Sequence, residues 1–255
     1  MTFKAMKLYF GLIAMAATAV LGLSRIEFPT AKFWNNHHIW LLVCIGYLTV
    51  FAGYESLAGL YASRRKEREK ALDAARTIVR ASFLQIVENP GLDWKKVGLH
   101  VFQVVKRRRR LLLRYEVQEE IARFQLSAKK LPSIRFTKDK GVIGRCWREV
   151  DKVTFNSHAE FSTLRDLEIE RCREAFGTLP EASRGGLTFA EFWSSRNDYG
   201  AIVAVPIISD DAARKYLGCV SCDAEGDSYA YLASDRIFRA LEECAAQIRD
   251  LVLGE

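Results

Sequence analysis

Charge is almost missing from the first sixty positions of this 255-residue chain, where Lys4, Lys7, Arg25, Glu27, Lys32 and Glu55 are the only Lys, Arg, Asp or Glu. The average of 49% hydrophobic and 27% charged residues hides that asymmetry. Leu8 to Leu23 has no charge, and Ile39 to Ala62 has only Glu55. A bilayer core of about 30 Å needs roughly 20 helical residues. The second segment is ample; the first is short, with Lys4, Lys7 and Arg25 placed to snorkel to the interfaces. A small-x-small cleavage site followed by a polar start is also missing, which argues against a cleaved signal peptide. The expectation is a two-helix transmembrane hairpin over residues 1–62.

The flanking charges orient that hairpin. Lys4 and Lys7 precede it, and Arg64, Arg65, Lys66, Arg68 and Lys70 follow it, whereas the connection carries only Arg25 and Lys32 against Glu27. The positive-inside rule then predicts a two-pass protein of a bacterial inner membrane, with both termini cytoplasmic. Trp34 and Trp40 suit the outer aromatic belt, and Tyr54 and Tyr61 the inner one. Glu55 is the one ionisable group inside a span, which points to a pore lining, a proton site or a helix contact. Its place near the cytoplasmic end favours a simpler reading, a carboxylate reaching towards Arg64 or Arg65. Ala14, Thr18 and Gly22 form a small-residue stripe that would let another helix approach closely, within the hairpin or from a second copy.

Other absences exclude chemistry. The six cysteines form no disulfide framework. Cys219 and Cys222 make a CxxC, but no second CxxC or HxxxH completes a zinc set. That pair also lies in a strand-like run, where residues three apart face opposite sides. His37 and His38 cannot fill a metal site alone, and no partner is visible for His100 or His158. Asp223 and Glu225 lack a second acidic pair or a base, so no hydrolytic constellation is evident. The basic run Lys106 to Arg110 lacks the aromatic interleaving of a base-stacking platform, so no nucleic acid is expected despite a net charge of +7.

Residues 63–90 read as a helical connector. Leu72, Ala75, Val79, Ser82 and Ile86 recur at heptad a/d spacing, which fits a short coiled coil joining two copies of the chain as well as a helix packed on its own domain. Asn89, Pro90 and Gly91 stop it. Beyond Trp94 the period changes to two. Val97 to Val105 alternates as a strand, Lys106 to Arg110 reads as a polar turn, and another β-rich stretch from Leu111 makes a hairpin leading to a further strand near Ile121 to Leu126. Gly141-Val-Ile-Gly144 precedes a short helix. Val153 to Asn156 reads as a strand, His158 to Phe176 and Phe189 to Trp193 as helices, Gly200 to Ile208 and Leu217 to Ala224 as strands, and Ser234 to Leu253 as a closing amphipathic helix.

The glycine turn at Gly141 to Gly144, the run AIVAVPI ending at Ile207 and the run LGCVSCDA ending at Ala224 resemble the GAF family of sensor domains over residues 91–255. The resemblance implies an α/β (α+β) domain, with an antiparallel sheet, helices on both faces, and a ligand pocket between the sheet and the helices of one side. It departs from known subfamilies. There is no NKFDE-like pattern, Cys172 is followed by Arg173 and not by the His beside a bilin-attaching cysteine, and Cys146 falls outside the glycine turn that holds the cysteine of the free methionine sulfoxide reductases.

The pocket so implied would draw on Phe155, Phe189, Trp193, Arg196, Asn197 and Tyr199, an apolar wall with a few directed polar groups. Arg196 is the natural partner of a phosphate or carboxylate. The plainer reading of Phe189 and Trp193, four apart, is that they plug the core. Glu55, Arg64, Arg65 and Lys106, Arg107, Arg108, Arg109 and Arg110 are the candidate lipid contacts, against a plainer reading of the basic run as solvated charge. No cofactor is indicated. The expected function is a membrane-anchored, non-enzymatic sensor of a cytoplasmic small molecule, a nucleotide being one candidate, in a homo-oligomer joined through the connector. The alternatives are a membrane-perturbing effector of the anti-phage type, triggered through the same domain, and a dimerising scaffold without ligand.

Overall fold

A computed structural model describes residues 3–88, 92–109, 113–127, 134–196 and 200–253. The chain divides into two units, Met1–Arg68 and Glu69–Glu255. In the first, α1 spans Phe3–Arg25 and α2 Ala31–Asn36, and α3 begins at His38 and runs to Val87 in the second unit. By length and apolarity, α3 is the one described helix that meets the requirement of a membrane span. The apolar part of α1, Tyr9–Arg25, is shorter. No residue in the apolar window of α3 is buried, and Trp40, Leu42, Val50, Leu57 and Tyr61 are among its exposed side chains. Tyr47 Oη on α3 donates to the Phe10 carbonyl on α1 at 2.8 Å. Within the first unit the covered small residues of α1 are Ala14 and Ala17, and Thr18 and Gly22 remain on the open side of the helix.

The second unit is built on a five-stranded sheet of order β2-β1-β5-β4-β3, with every neighbouring pair antiparallel. Its strands are β1 Val97–Arg109, β2 Leu113–Gln125, β3 Val153–Phe155, β4 Ala201–Ile208 and β5 Tyr216–Ala224. Between β2 and β3 lies α4, Gly141–Glu149. Between β3 and β4 come five short helices, α5 Ser157–Glu160, α6 Ser162–Arg165, α7 Ile169–Thr178, α8 Glu181–Arg184 and α9 Phe189–Ser195. After β5 come α10, Tyr229–Leu232, and α11, Asp235–Ile248. The antiparallel sheet with helices on both faces is the architecture the sequence predicts.

One face is closed. Val97, Leu99 and Val101 of β1, Val203 and Val205 of β4, and Val220 and Cys222 of β5 pack on Ala75, Val79, Phe83 and Ile86 of α3 and on Ile237, Leu241 and Ile248 of α11. Of the a/d seam predicted for the connector, Ala75, Val79, Ser82 and Ile86 are buried in the core of their own domain and Leu72 is half-buried. A helix laid on a sheet needs the same apolar stripe as a coiled coil.

Lys106 and Arg107 lie inside β1, not in a turn, and strand pairing continues to Arg109 opposite Leu113. Cross-strand carboxylates offset the like charges: Glu116 stands 3.9 Å from Lys106, and Arg107 pairs with Glu119. Arg108 and Arg109 take part through their backbone, and Arg110 lies outside the described residues. The stretch His158 to Phe176 is not one helix but α5, α6 and most of α7.

The opposite face is only partly covered. Phe102, Ala204 and Cys219 meet Val142, Ile143, Cys146 and Trp147 of α4. The remaining helices form a cap with an aromatic core of its own, in which Phe161, Leu164, Cys172, Phe176 and Phe192 are buried. Cys219 and Cys222 indeed face opposite sides of the sheet, and among the described residues no group of three or more His, Cys, Asp or Glu is arranged to hold a metal.

Candidate functional site

Between the sheet, α4 and the cap lies a cavity of about 1240 Å³. Its apolar walls include Phe102, Phe136, Phe155, Phe161, Phe192 and Ile202. Pockets that enclose small molecules combine such walls with a few placed polar groups. Here the polar groups come from three adjacent strands. His100 on β1 sits between Glu120 on β2, with Nδ1 2.6 Å from Oε1, and Asp223 on β5, with Nε2 2.8 Å from Oδ1. Ser221 lines the same floor.

Each member reaches this face by a definite device. Asp223 stands directly across from Gly98, and His100 reaches it diagonally. A side chain at Gly98 would put a Cβ 2.6 Å from His100 Nε2 and 2.9 Å from Asp223 Oδ1, so the strand leaves that position empty for the pair. Glu120 arrives through a bulge. The register of β1 with β2 slips between Val101 and Phe102, where Ala122 and then Glu120 are the successive partners, leaving Ile121 extra. Ala122 and Phe124 pack on the closed face. Strict alternation would send Glu120 there too, and the bulge re-aims it into the cavity.

The geometry favours a charged imidazole. A neutral ring has one N–H, whereas both nitrogens here face a carboxylate acceptor. Burial, the largest single influence, lowers the His100 pKa. The hydrogen bonds and charges of Asp223 and Glu120 together outweigh it and raise the pKa from 6.5 to about 9.

The cap is tied to α4 at a crossing of glycines. Gly141 N–H donates to the Gly185 carbonyl at 2.7 Å, and both residues have positive φ, 65° and 57°. A Cβ at Gly186 would lie 2.8 Å from the Asp139 carbonyl oxygen. Beside this crossing, Lys140 Nζ meets Glu191 Oε1 of α9 at 2.7 Å. Glu191 also closes a capping box with Thr188. Gly141-Val-Ile-Gly144 is thus the first turn of α4 rather than a turn before it.

Of the residues singled out in the sequence, Phe155 and Arg196 line the cavity. Phe189 and Trp193 instead pack against the aromatic core of the cap; the inward positions of α9 are Phe192 and Ser195. Trp193 acts on the cavity only through Arg196, whose guanidinium carbon lies 3.2 Å from the Trp193 ring centroid and whose Nη1 donates to the Trp193 carbonyl at 3.0 Å. Asn197 and Tyr199 lie outside the described residues. Glu55 is half-buried in the first unit, and Arg64 and Arg65 are exposed on the same helix.

Sequence reasoning passed over Glu120 and Arg184 and set aside His100 as partnerless and Asp223 as lacking a base, whereas the fold makes Glu120 and Asp223 the partners of His100. His100 and Asp223 could have been found as polar residues inside apolar strands, while Glu120 gave no signal because the bulge decides its face. Cys146, Cys219 and Tyr216 make a second buried group under α4, where Tyr216 Oη donates to Gln118 Oε1 at 3.1 Å. The neighbouring Cys219 and burial push the Cys146 thiol up, away from a reactive thiolate.

Fold and site together define an α+β domain with one sealed sheet face and one face that holds a cavity. Solved structures similar to this chain include the GAF domain of an Acinetobacter phosphoenolpyruvate-protein phosphotransferase, at 15% identity and a TM-score of 0.39, with 72% of this chain and 92% of that one covered. The free methionine-R-sulfoxide reductase of Neisseria meningitidis, in complex with its substrate, is 15% identical at a TM-score of 0.35, covering 73% and 87%. A putative IclR transcriptional regulator from a Silicibacter species is 13% identical at a TM-score of 0.36, covering 95% and 96%. No family model and no curated protein matches the sequence.

Proposed function

We propose that this chain is a membrane-anchored, non-enzymatic sensor in which the second unit binds a small cytoplasmic molecule, as the GAF resemblance of its sequence implies. The observation that carries the reading is the 1240 Å³ cavity, floored by a charged cluster and walled by aromatic side chains. A domain needing only stability would fill such a space, because voids and desolvated charge both cost free energy. Binding at the cavity would shift the cap relative to the sheet, since the glycine crossing and the Lys140–Glu191 pair are its ties to α4. Anchoring is supported by the exposed apolar window of α3, a surface that water does not tolerate and lipid does. The shorter α1 would complete a two-pass hairpin with both ends in the cytoplasm.

Native mass spectrometry of the full chain released from detergent micelles tests the ligand reading. A bound species of constant mass is expected in the wild type and should be lost in Arg196→Ala. A protein that carries no small molecule and is stabilised by no metabolite contradicts it. Anchoring is tested by sedimentation of a detergent-free lysate: the chain should pellet with membranes and resist alkaline extraction.

A further inference from the structure

We propose that the cavity selects an amphoteric small molecule, which sets a protonated nitrogen group against Glu120 and Asp223 and an anionic group against Arg184 and Arg196. This inference rests on the reading of the cavity as a ligand site and specifies the chemistry of what enters.

The sheet side supplies the negative pole. His100 gives an N–H to each carboxylate, so the cluster holds one positive and two negative charges, a net of −1. Each carboxylate uses one oxygen on His100, and the second oxygen of each has no other hydrogen-bond partner among the described residues. His100 and Asp223 are almost completely removed from solvent, and Glu120 is 20% exposed. Unbalanced charge at such depth is costly, and a ligand cation that donates N–H hydrogen bonds to the free carboxylate oxygens offsets the cost. A cross-strand tie serving stability alone would not require the empty position at Gly98 or the bulge that turns Glu120 inward. On the closed face, apolar contacts perform that task.

The cap supplies the positive pole. Arg184, the last residue of α8, and Arg196, at the end of α9, both line the cavity. The Nε of each is sealed from solvent and has no hydrogen-bond partner. Among the described residues no carboxylate stands within ion-pair distance of either. Arg145 and Arg148, on the same cavity, are paired with Glu149 and with Glu149 and Asp139. Two guanidiniums on the wall of one cavity, each with an Nε that has no protein acceptor, fit a carboxylate or phosphate as the missing acceptor.

The test uses the full chain in detergent micelles and matched probes: a panel of free amino acids and dipeptides, their N-acetylated forms, which lose the cation, and their C-terminal amides, which lose the anion. Thermal shift followed by titration calorimetry should find free zwitterions that bind at least tenfold tighter than either blocked form. Glu120→Gln should erase the preference over the acetylated form, and Arg184→Gln the preference over the amide, each with the fold confirmed by circular dichroism. An acetylated probe that binds as tightly as the free one, or selectivity untouched in Glu120→Gln, overturns the proposal. If a purely anionic or neutral molecule copurifies with the chain, the amphoteric assignment falls and the sensor reading stands. If nothing binds at all, both fall.

Discussion

The two faces of one sheet differ more than any other two regions of the domain. Against α3 and α11 the strands present a buried layer of Val, Leu, Ile, Ala and Cys. Against the cap the same strands present His100, Asp223 and, through the bulge, Glu120. Burial has therefore been used for two purposes: cohesion on the first face, and on the second a charged cluster held away from water, where a field is strongest. Stability should reside on the closed face and selectivity on the cavity face.

Substitutions should separate the two. Leu241→Ala removes a fully buried side chain from the closed face and should cost about 3–4 kcal/mol by denaturant titration, with the ligand selectivity of the remaining folded protein unchanged. A comparable loss of selectivity would erase the distinction.

The charged floor gives a pH signature of slightly smaller size. The His100 pKa is raised from 6.5 in the unfolded chain to about 9 in the fold, so its contribution is complete below about pH 6.5 and disappears as pH rises through 9. The linked loss is about 3 kcal/mol. Melting temperatures measured from pH 6 to pH 10 should fall across that window in the wild type and stay flatter in His100→Phe. Gly98→Ala should then cost about 2 kcal/mol through overpacking, and should weaken the pH dependence too, because the new methyl displaces the His100–Asp223 pair. Smallest of all, Thr188→Ala opens the capping box of α9 and should lower stability by about 1 kcal/mol. It should loosen zwitterion binding and weaken the preference over the amide while leaving the preference over the acetylated form, since it moves the cap arginines and not the sheet cluster.

The closed face was legible in the sequence because period-two strands and a heptad-like stripe report burial directly. Even there the stripe could not say what covers it: Ala75, Val79 and Ile86 fit a second copy of the chain as well as the sheet on which they lie. The cavity face was read less well. Phe155 and Arg196 follow from chain order and chemistry, but Phe192, one position before the expected Trp193, is the side chain that points inward, a matter of helix phase over a two-turn element. Glu120 was hidden by a one-residue register slip, and the basic run read as a turn is strand, its charges offset by Glu116 and Glu119 of the neighbouring strand. Pairing partners, bulges and short-helix phase are tertiary facts, and local pattern does not encode them.

The charge state of His100 decides most directly whether the cavity floor is the charged element described above. Nitrogen-15 NMR of the histidine-labelled full chain in micelles at pH 7 should show one imidazole with both nitrogens protonated, titrating near pH 9 and absent from His100→Phe. A neutral His100 ring with a single N–H at pH 7, titrating at or below 6.5, would contradict it.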